Sequence, residues 1–209
     1  MSKKERKLTE KELERKALFE KTRLKLEQEG FKSTHLTMGV LKANILAIFV
    51  MAPFVLFFCW LYSIVNLEID TTMSSMWGVL FLPIFLLLVV AHEGIHGITW
   101  GIFAKDHFKS IEFGVIWKML TPYCTCKDAL KKWQYMLGSA MPTIILGGGM
   151  ALISIFLNNY ILFLLSLLMV LSGGGDFIVI LMIIFHKATG NCALYCDHPY
   201  ELGVVVFEK

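Results

Sequence analysis

The chain has 209 residues, 56% of them hydrophobic and only 18% charged, with a mean hydropathy of +0.62. This composition excludes an ordinary soluble domain of that length and places the chain in a membrane. The net charge of +3 does not point to nucleic acid, and five cysteines, an odd number, argue against a secreted disulfide framework.

Residues 1–43 open with a run of Lys, Arg and Glu, which is not the pattern of a cleavable signal peptide. Thr9 and Glu12 have capping-box spacing and no Pro or Gly intervenes before Gly30, so a charged, basic amphipathic helix is expected. It would lie on anionic headgroups or stand solvated and only fix topology.

Stretches near 44–66, 78–104, 135–157 and 160–185 are each long and apolar enough to cross hydrocarbon, which takes roughly 20 helical residues. The last two are joined by Asn158-Asn159, a pair suited to a tight turn, so a helical hairpin is expected. Of the 20 Lys and Arg, 12 precede residue 44, 6 lie between 105 and 134, and 2 follow 185. Such residues are retained in the cytoplasm, so both termini and the long middle loop are expected inside and the 67–77 loop outside.

The chemistry starts at Ala91-His92-Glu93-Gly94-Ile95-His96-Gly97, within the second apolar stretch. On a helix His92 and His96 project from one face and can grip one metal ion, with Glu93 beside them. Zinc so held acidifies water, and a glutamate can accept the proton. The alternative is that the trio only hydrogen-bonds within the fold. Three ionisable groups within five residues at membrane depth are costly without a metal or partner.

A third ligand is required, and Asp176 is the one acidic residue in the other apolar stretches. Counted from the outer ends of their helices, His92, His96 and Asp176 lie about 14, 18 and 16 residues deep, roughly 21–27 Å and so at one level. Gly173, Gly174 and Gly175 before it, and Gly97 and Gly101 on the helix of the second apolar stretch, allow close approach or unwinding, or else ordinary helix packing. If Asp176 instead caps a helix or turns a loop, the third ligand is not identified.

H-E-x-x-H on the first core helix and an Asp-bearing motif on the third resemble the site-2 protease superfamily of intramembrane metalloproteases. The Thr121-Pro122-Tyr123-Cys124-Thr125-Cys126 loop, Met141-Pro142, Gly175-Asp176 and Asp197-His198-Pro199 are more closely similar to a bacterial family of integral-membrane zincin peptidases. The resemblance covers residues 78–209. It implies zinc (Zn2+) on His92, His96 and Asp176, Glu93 as general base, and cleavage of a membrane-embedded protein substrate. The better-studied site-2 proteases carry Leu-Asp-Gly, where this chain has Gly175-Asp176-Phe177, and no PDZ-like insert is present.

In the middle loop Ile111, Phe113, Val115 and Trp117 alternate with Glu112, Gly114, Ile116 and Lys118, the period of a strand. Residues 110–118 could hold a substrate extended by β-augmentation through Phe113, Val115 and Trp117, or could pair with Leu202–Phe207 and merely cover the core. Cys124, Cys126, Cys192 and Cys196 could hold a second zinc or form a redox pair, with unpaired loop cysteines as the default. The expected fold is an all-α polytopic membrane protein of four transmembrane helices, with a peripheral helix at 44–66, a three-helix site-2-protease-like core over 78–209 and a short β element in the cytoplasmic loop. The expected function is intramembrane peptide hydrolysis in a bacterial plasma membrane. A non-proteolytic zinc transporter or sensor, or an inactive scaffold, is the alternative.

Overall fold

A computed structural model describes residues 9–68, 75–116, 121–190 and 192–209. The first helix, α1 (Glu10–Gln28), starts as its sequence signals: the Glu12 amide donates to the Thr9 hydroxyl at 3.4 Å and the Thr9 amide to the Glu12 carboxylate at 2.8 Å. Gly30, at φ +90, ends it in a backbone region that glycine enters without strain. The chain then extends as β1 (Lys32–Met38) before α2 (Val40–Val65).

α2 and α3 (Ser75–Phe103) are continuous apolar helices. A third continuous helix runs over Lys132–Phe156 as α4 (Lys132–Pro142), a π-helical segment at Thr143–Gly149 and α5 (Met150–Phe156). The spans Val40–Val65, Met76–Phe103 and Lys132–Phe156 are long and apolar enough to cross a membrane. Their outward residues, such as Phe49, Leu56, Val79 and Leu87, are apolar and exposed, as a lipid-facing surface requires. The expected fourth span is instead two helices, α6 (Tyr160–Ser172) and α7 (Gly174–Phe185), bent by 40° at Gly173. The Asn158-Asn159 hairpin forms as expected. Asn158 takes positive φ, and the Asn159 side chain caps α6 by accepting from the Leu162 amide at 2.9 Å.

The strands correct the all-α expectation. β2 (Ile111–Ile116) and β3 (Thr121–Cys126) form an antiparallel hairpin, so β2 pairs with β3 and not with Leu202–Phe207. A separate four-stranded antiparallel sheet has the order β1-β6-β5-β4, built from β4 (Leu130–Lys131), β5 (Ala193–Asp197), β6 (Leu202–Glu208) and β1. β6 alternates between two cores. Val204 and Val206 face Trp100, Tyr135 and Ile183 at the helix ends, while Val205 and Phe207 face Phe19 and Leu26 of α1. All six strands adjoin one end of the helices: the starts of α2 and α4 and the ends of α3 and α7. At the other end Tyr62 and Asn66 of the first span bond to Asn158 and to the Ile155 carbonyl.

β6 is tied to α7 by a polar clamp. Buried Glu208 accepts from Thr189 at 3.1 Å and lies 2.8 Å from the His186 ring nitrogen. Burial alone would raise the carboxyl pKa, but the hydrogen bonds from His186 and Thr189 hold it below the ordinary glutamate range. A depressed pKa stabilises the fold above the unfolded value, near 4.3, and that contribution is lost as pH falls through the folded value. Glu208→Gln is therefore expected to flatten the drop in Tm of the wild type between about pH 5 and pH 3, as measured by thermal melting in detergent.

Candidate metal centre

α3 carries His92, Glu93 and His96 on consecutive turns, and at this depth its backbone must be satisfied within the helix. Both imidazoles are buried, at 5% and 3% exposure. Asp176 meets them from α7. Its two carboxylate oxygens lie 3.3 Å from His92 Nε2 and 3.4 Å from His96 Nε2. Among the described residues, His92, His96 and Asp176 form the one group of His, Cys, Asp and Glu whose ligand atoms converge, all within 4.8 Å of one another.

Asp176 reaches this place because of the break at Gly173. Three consecutive glycines weaken the helix. A side chain on Gly173 would collide with Thr143 of the π-helical segment, and one on Gly174 with Ala47 of α2. The restart of α7 then puts Asp176 in a first helical turn, where the helix dipole favours a carboxylate. α2, expected at the periphery, packs Ala47 and Met51 against this restart.

The tautomer of His96 follows from its surroundings. Its Nδ1 is 2.8 Å from the Gly138 carbonyl, which can only accept, so Nδ1 carries a proton and a neutral ring presents a lone pair at Nε2. That lone pair faces an Asp176 oxygen, which is also an acceptor. Two acceptors 3.4 Å apart repel unless a proton or a metal ion lies between them. Tetrahedral zinc with bonds of about 2.0–2.1 Å separates its ligand atoms by about 3.3–3.4 Å, close to each His–Asp176 distance, though the two imidazoles face different oxygens of the carboxylate. The donor set of two imidazoles and one carboxylate fits zinc.

Other groups hold His96 in place. Trp100, one turn further along α3, stacks on its ring at 4.9 Å and 14° and donates from Nε1 to the Tyr135 carbonyl at 3.1 Å. Gly138 makes room, because any side chain there would strike the indole. Tyr135 in turn donates its hydroxyl to Asp197, which also accepts from the Cys126 amide at 3.0 Å. Sequence reasoning missed Trp100 and Gly138, although the i, i+4 spacing of His96 and Trp100 was legible. Asp197 was noted only as part of a motif.

Glu93 is half-buried beside the ligands, next to the Cys124 backbone amide of β3. The hairpin that carries Cys124 rests on α3 through Gly97 and Gly101. Phe113 and Ile111 cover the first, and Phe108 lies 2.7 Å from where a side chain on the second would begin. That small-residue face therefore receives a strand and its approach instead of another helix. Phe113 is 56% exposed and Val115 half-buried, and Trp117 lies outside the described residues.

The cysteines do not form a second centre among the described residues. Cys124, Cys126 and Cys196 are buried and free, and Cys192 is exposed. Burial raises all three buried thiols, Cys126 to about 12, so they stay protonated and unreactive at neutral pH. A small cavity lies behind them, between α1 and the strands, lined by Arg15, Cys126, Cys196 and His198. It does not reach the metal ligands.

An H-E-x-x-H helix facing a carboxylate as third ligand, on a chain with helices fit to cross a membrane, has the ligand set of a zinc metallopeptidase. Residues 85–190, just over half of the chain, match the family model DUF3267, whose description is "Putative zincin peptidase", and the chain belongs to that family. Zinc is the cofactor this family implies. No curated protein and no solved structure matches the chain.

Proposed function

We propose that the protein is an intramembrane zinc metalloendopeptidase with a site-2-protease-like core, hydrolysing peptide bonds of membrane-embedded protein substrates. The observation that carries this reading is the convergence of His92, His96 and Asp176 from α3 and α7, with Glu93 beside them on α3. His92, His96 and Asp176 would hold the metal. When bound, zinc supplies a Lewis acid that polarises a peptide carbonyl and acidifies water. Glu93 takes the proton of the attacking water and passes it to the leaving amine. Both imidazoles are buried, while the Asp176 carboxylate remains partly accessible.

β2 has an edge that pairs with no strand among the described residues, and it lies against α3 one turn from His96. A helical substrate hides its carbonyls in its own hydrogen bonds, and this edge, with Phe113 and Val115, would hold it extended for attack. The strand-bearing end of the helices carries most of the Lys and Arg, so we place it, with both termini, in the cytoplasm of a bacterial cell.

The purified protein is expected to contain about one zinc per chain. It should cleave a quenched-fluorescent apolar peptide in detergent, lose that activity to 1,10-phenanthroline and regain it when zinc is restored. Protein without zinc, or cleavage that the chelator leaves untouched, would refute the reading.

A further inference from the structure

Asp197 closes β5, an inner strand of the four-stranded sheet, where it pairs with Val204 of β6. It stands beyond residues 85–190, the part of the chain that matches the zincin peptidase family. Both of its carboxylate oxygens are engaged, each by a different element. Oδ1 accepts from the Tyr135 hydroxyl of α4, and Oδ2 accepts from the Cys126 amide of β3 at 3.0 Å.

From Tyr135 two routes lead to His96. One turn along α4 stands Gly138, whose carbonyl is 2.8 Å from His96 Nδ1. The Tyr135 carbonyl meanwhile accepts from Trp100 Nε1 at 3.1 Å, and the indole stacks on the His96 ring. Tyr135, Trp100 and His96 are all buried, and the indole fills the place of a side chain at Gly138. In so closely packed a group α4 cannot slide without moving the imidazole.

From Cys126 the route leads to Glu93. The Lys127 amide donates across the hairpin to the Ser110 carbonyl at 2.9 Å, and successive amides point to opposite sides of a strand. The amides of Cys126 and Cys124 therefore point away from β2. The first meets Asp197 and the second meets Glu93. One carboxylate thus pins the turn of α4 that braces a metal ligand and the strand that braces the glutamate beside it.

We propose that Asp197 is a positioning residue of the metal centre, holding His96 through Tyr135 and Glu93 through β3. The Glu93 half rests on the peptidase reading, whereas the His96 half needs only that the trio binds zinc. A carboxylate is required because both oxygens must accept. Asparagine has one acceptor oxygen for the two donors, so it releases either α4 or β3.

Asp197→Asn is expected to weaken zinc binding about tenfold, the low end of the loss that follows removal of an outer partner. Chelator competition on the purified protein in detergent reads this. Tyr135→Phe, which keeps the ring in place, should weaken zinc to a similar degree. The double variant should bind zinc no worse than either single one, because both cut the same link; additive losses would overturn the inference. The visible spectrum of the cobalt-substituted protein, which reports ligand geometry, should change in both. With the quenched-fluorescent peptide, kcat at saturating zinc should fall further in Asp197→Asn than in Tyr135→Phe, which leaves the Cys126 bond intact, and KM should stay unchanged.

A staple that only stabilises the fold would lower Tm and move none of these readings in the folded protein. Asn159→Ala, which removes the α6 cap at the far end of the helices, supplies that comparison. It should melt earlier with wild-type zinc affinity and cobalt spectrum. The same wild-type affinity and spectrum in folded Asp197→Asn and Tyr135→Phe would overturn the inference, whether or not the peptide is cleaved. Weakened zinc binding in both variants of a protein that cleaves nothing would keep the positioning of His96 and refute the peptidase reading.

Discussion

Glu93→Gln is expected to lower peptide hydrolysis by about 10²–10⁴-fold, the usual contribution of a general base, while zinc content stays at the wild-type level. The structure separates the two properties. Glu93 is outside the converging ligand group, yet it lies on the helical turn that carries both imidazoles, next to the Cys124 amide. Glutamine has nearly the same shape and can still accept from that amide, but it cannot take a proton from water. The loss should fall on kcat, because the peptide still binds. Elemental analysis beside a turnover assay checks both halves. Hydrolysis that survives would move the base to another residue, and zinc lost together with activity would make Glu93 a ligand. A variant that changes zinc flux across vesicles would point to transport.

The spans and the site were largely legible in the sequence, because both rest on local signals. A helix that crosses hydrocarbon must be apolar along its whole length, so its composition declares it. H-E-x-x-H is a five-residue pattern on one helical face, and Asp176 stood out as an acid at matching depth. The hairpin at Asn158-Asn159 and the capping box at Thr9 and Glu12 are equally local, and both formed. The 40° bend at Gly173 was visible only as a glycine run, since its cause lies in contacts with Thr143 and Ala47 from distant segments.

The four-stranded sheet was not legible, for a physical reason. β1 reads Lys-Ser-Thr-His-Leu-Thr-Met, without clean alternation, and its partner begins at Leu202. A strand stabilised by a partner some 170 residues away leaves little trace in its own sequence. β6 is covered on both faces, which gives a continuous Val-Val-Val-Phe run instead of an alternating one. Likewise nothing local marks Gly138, whose value is one carbonyl aimed at His96 and the space it leaves for Trp100.

Asp176→Asn is the sharper test of the metal centre, because it changes charge and almost nothing else. If the trio were only a hydrogen-bonded or ion-paired packing device, the substitution would alter the stability of the metal-free fold but not its response to zinc. If the trio holds zinc, the variant replaces an anionic ligand by a weakly donating amide and leaves the divalent charge uncompensated in a dry site. Zinc affinity is then expected to fall by more than the 10–100-fold that follows loss of an outer hydrogen-bond partner. The readout is the shift of Tm with added zinc. Ligand that binds only the folded state raises stability by RT ln(1 + [L]/Kd), so zinc at about 1,000 times Kd adds about 4 kcal/mol to the wild type. The variant at the same zinc concentration should show at least about 2.7 kcal/mol less of that stabilisation, the share lost with a 100-fold weaker site. His92→Ala and His96→Ala should behave in the same way. Equal zinc-induced shifts in Asp176→Asn and wild type would instead leave α7 as a packing partner and require another third ligand.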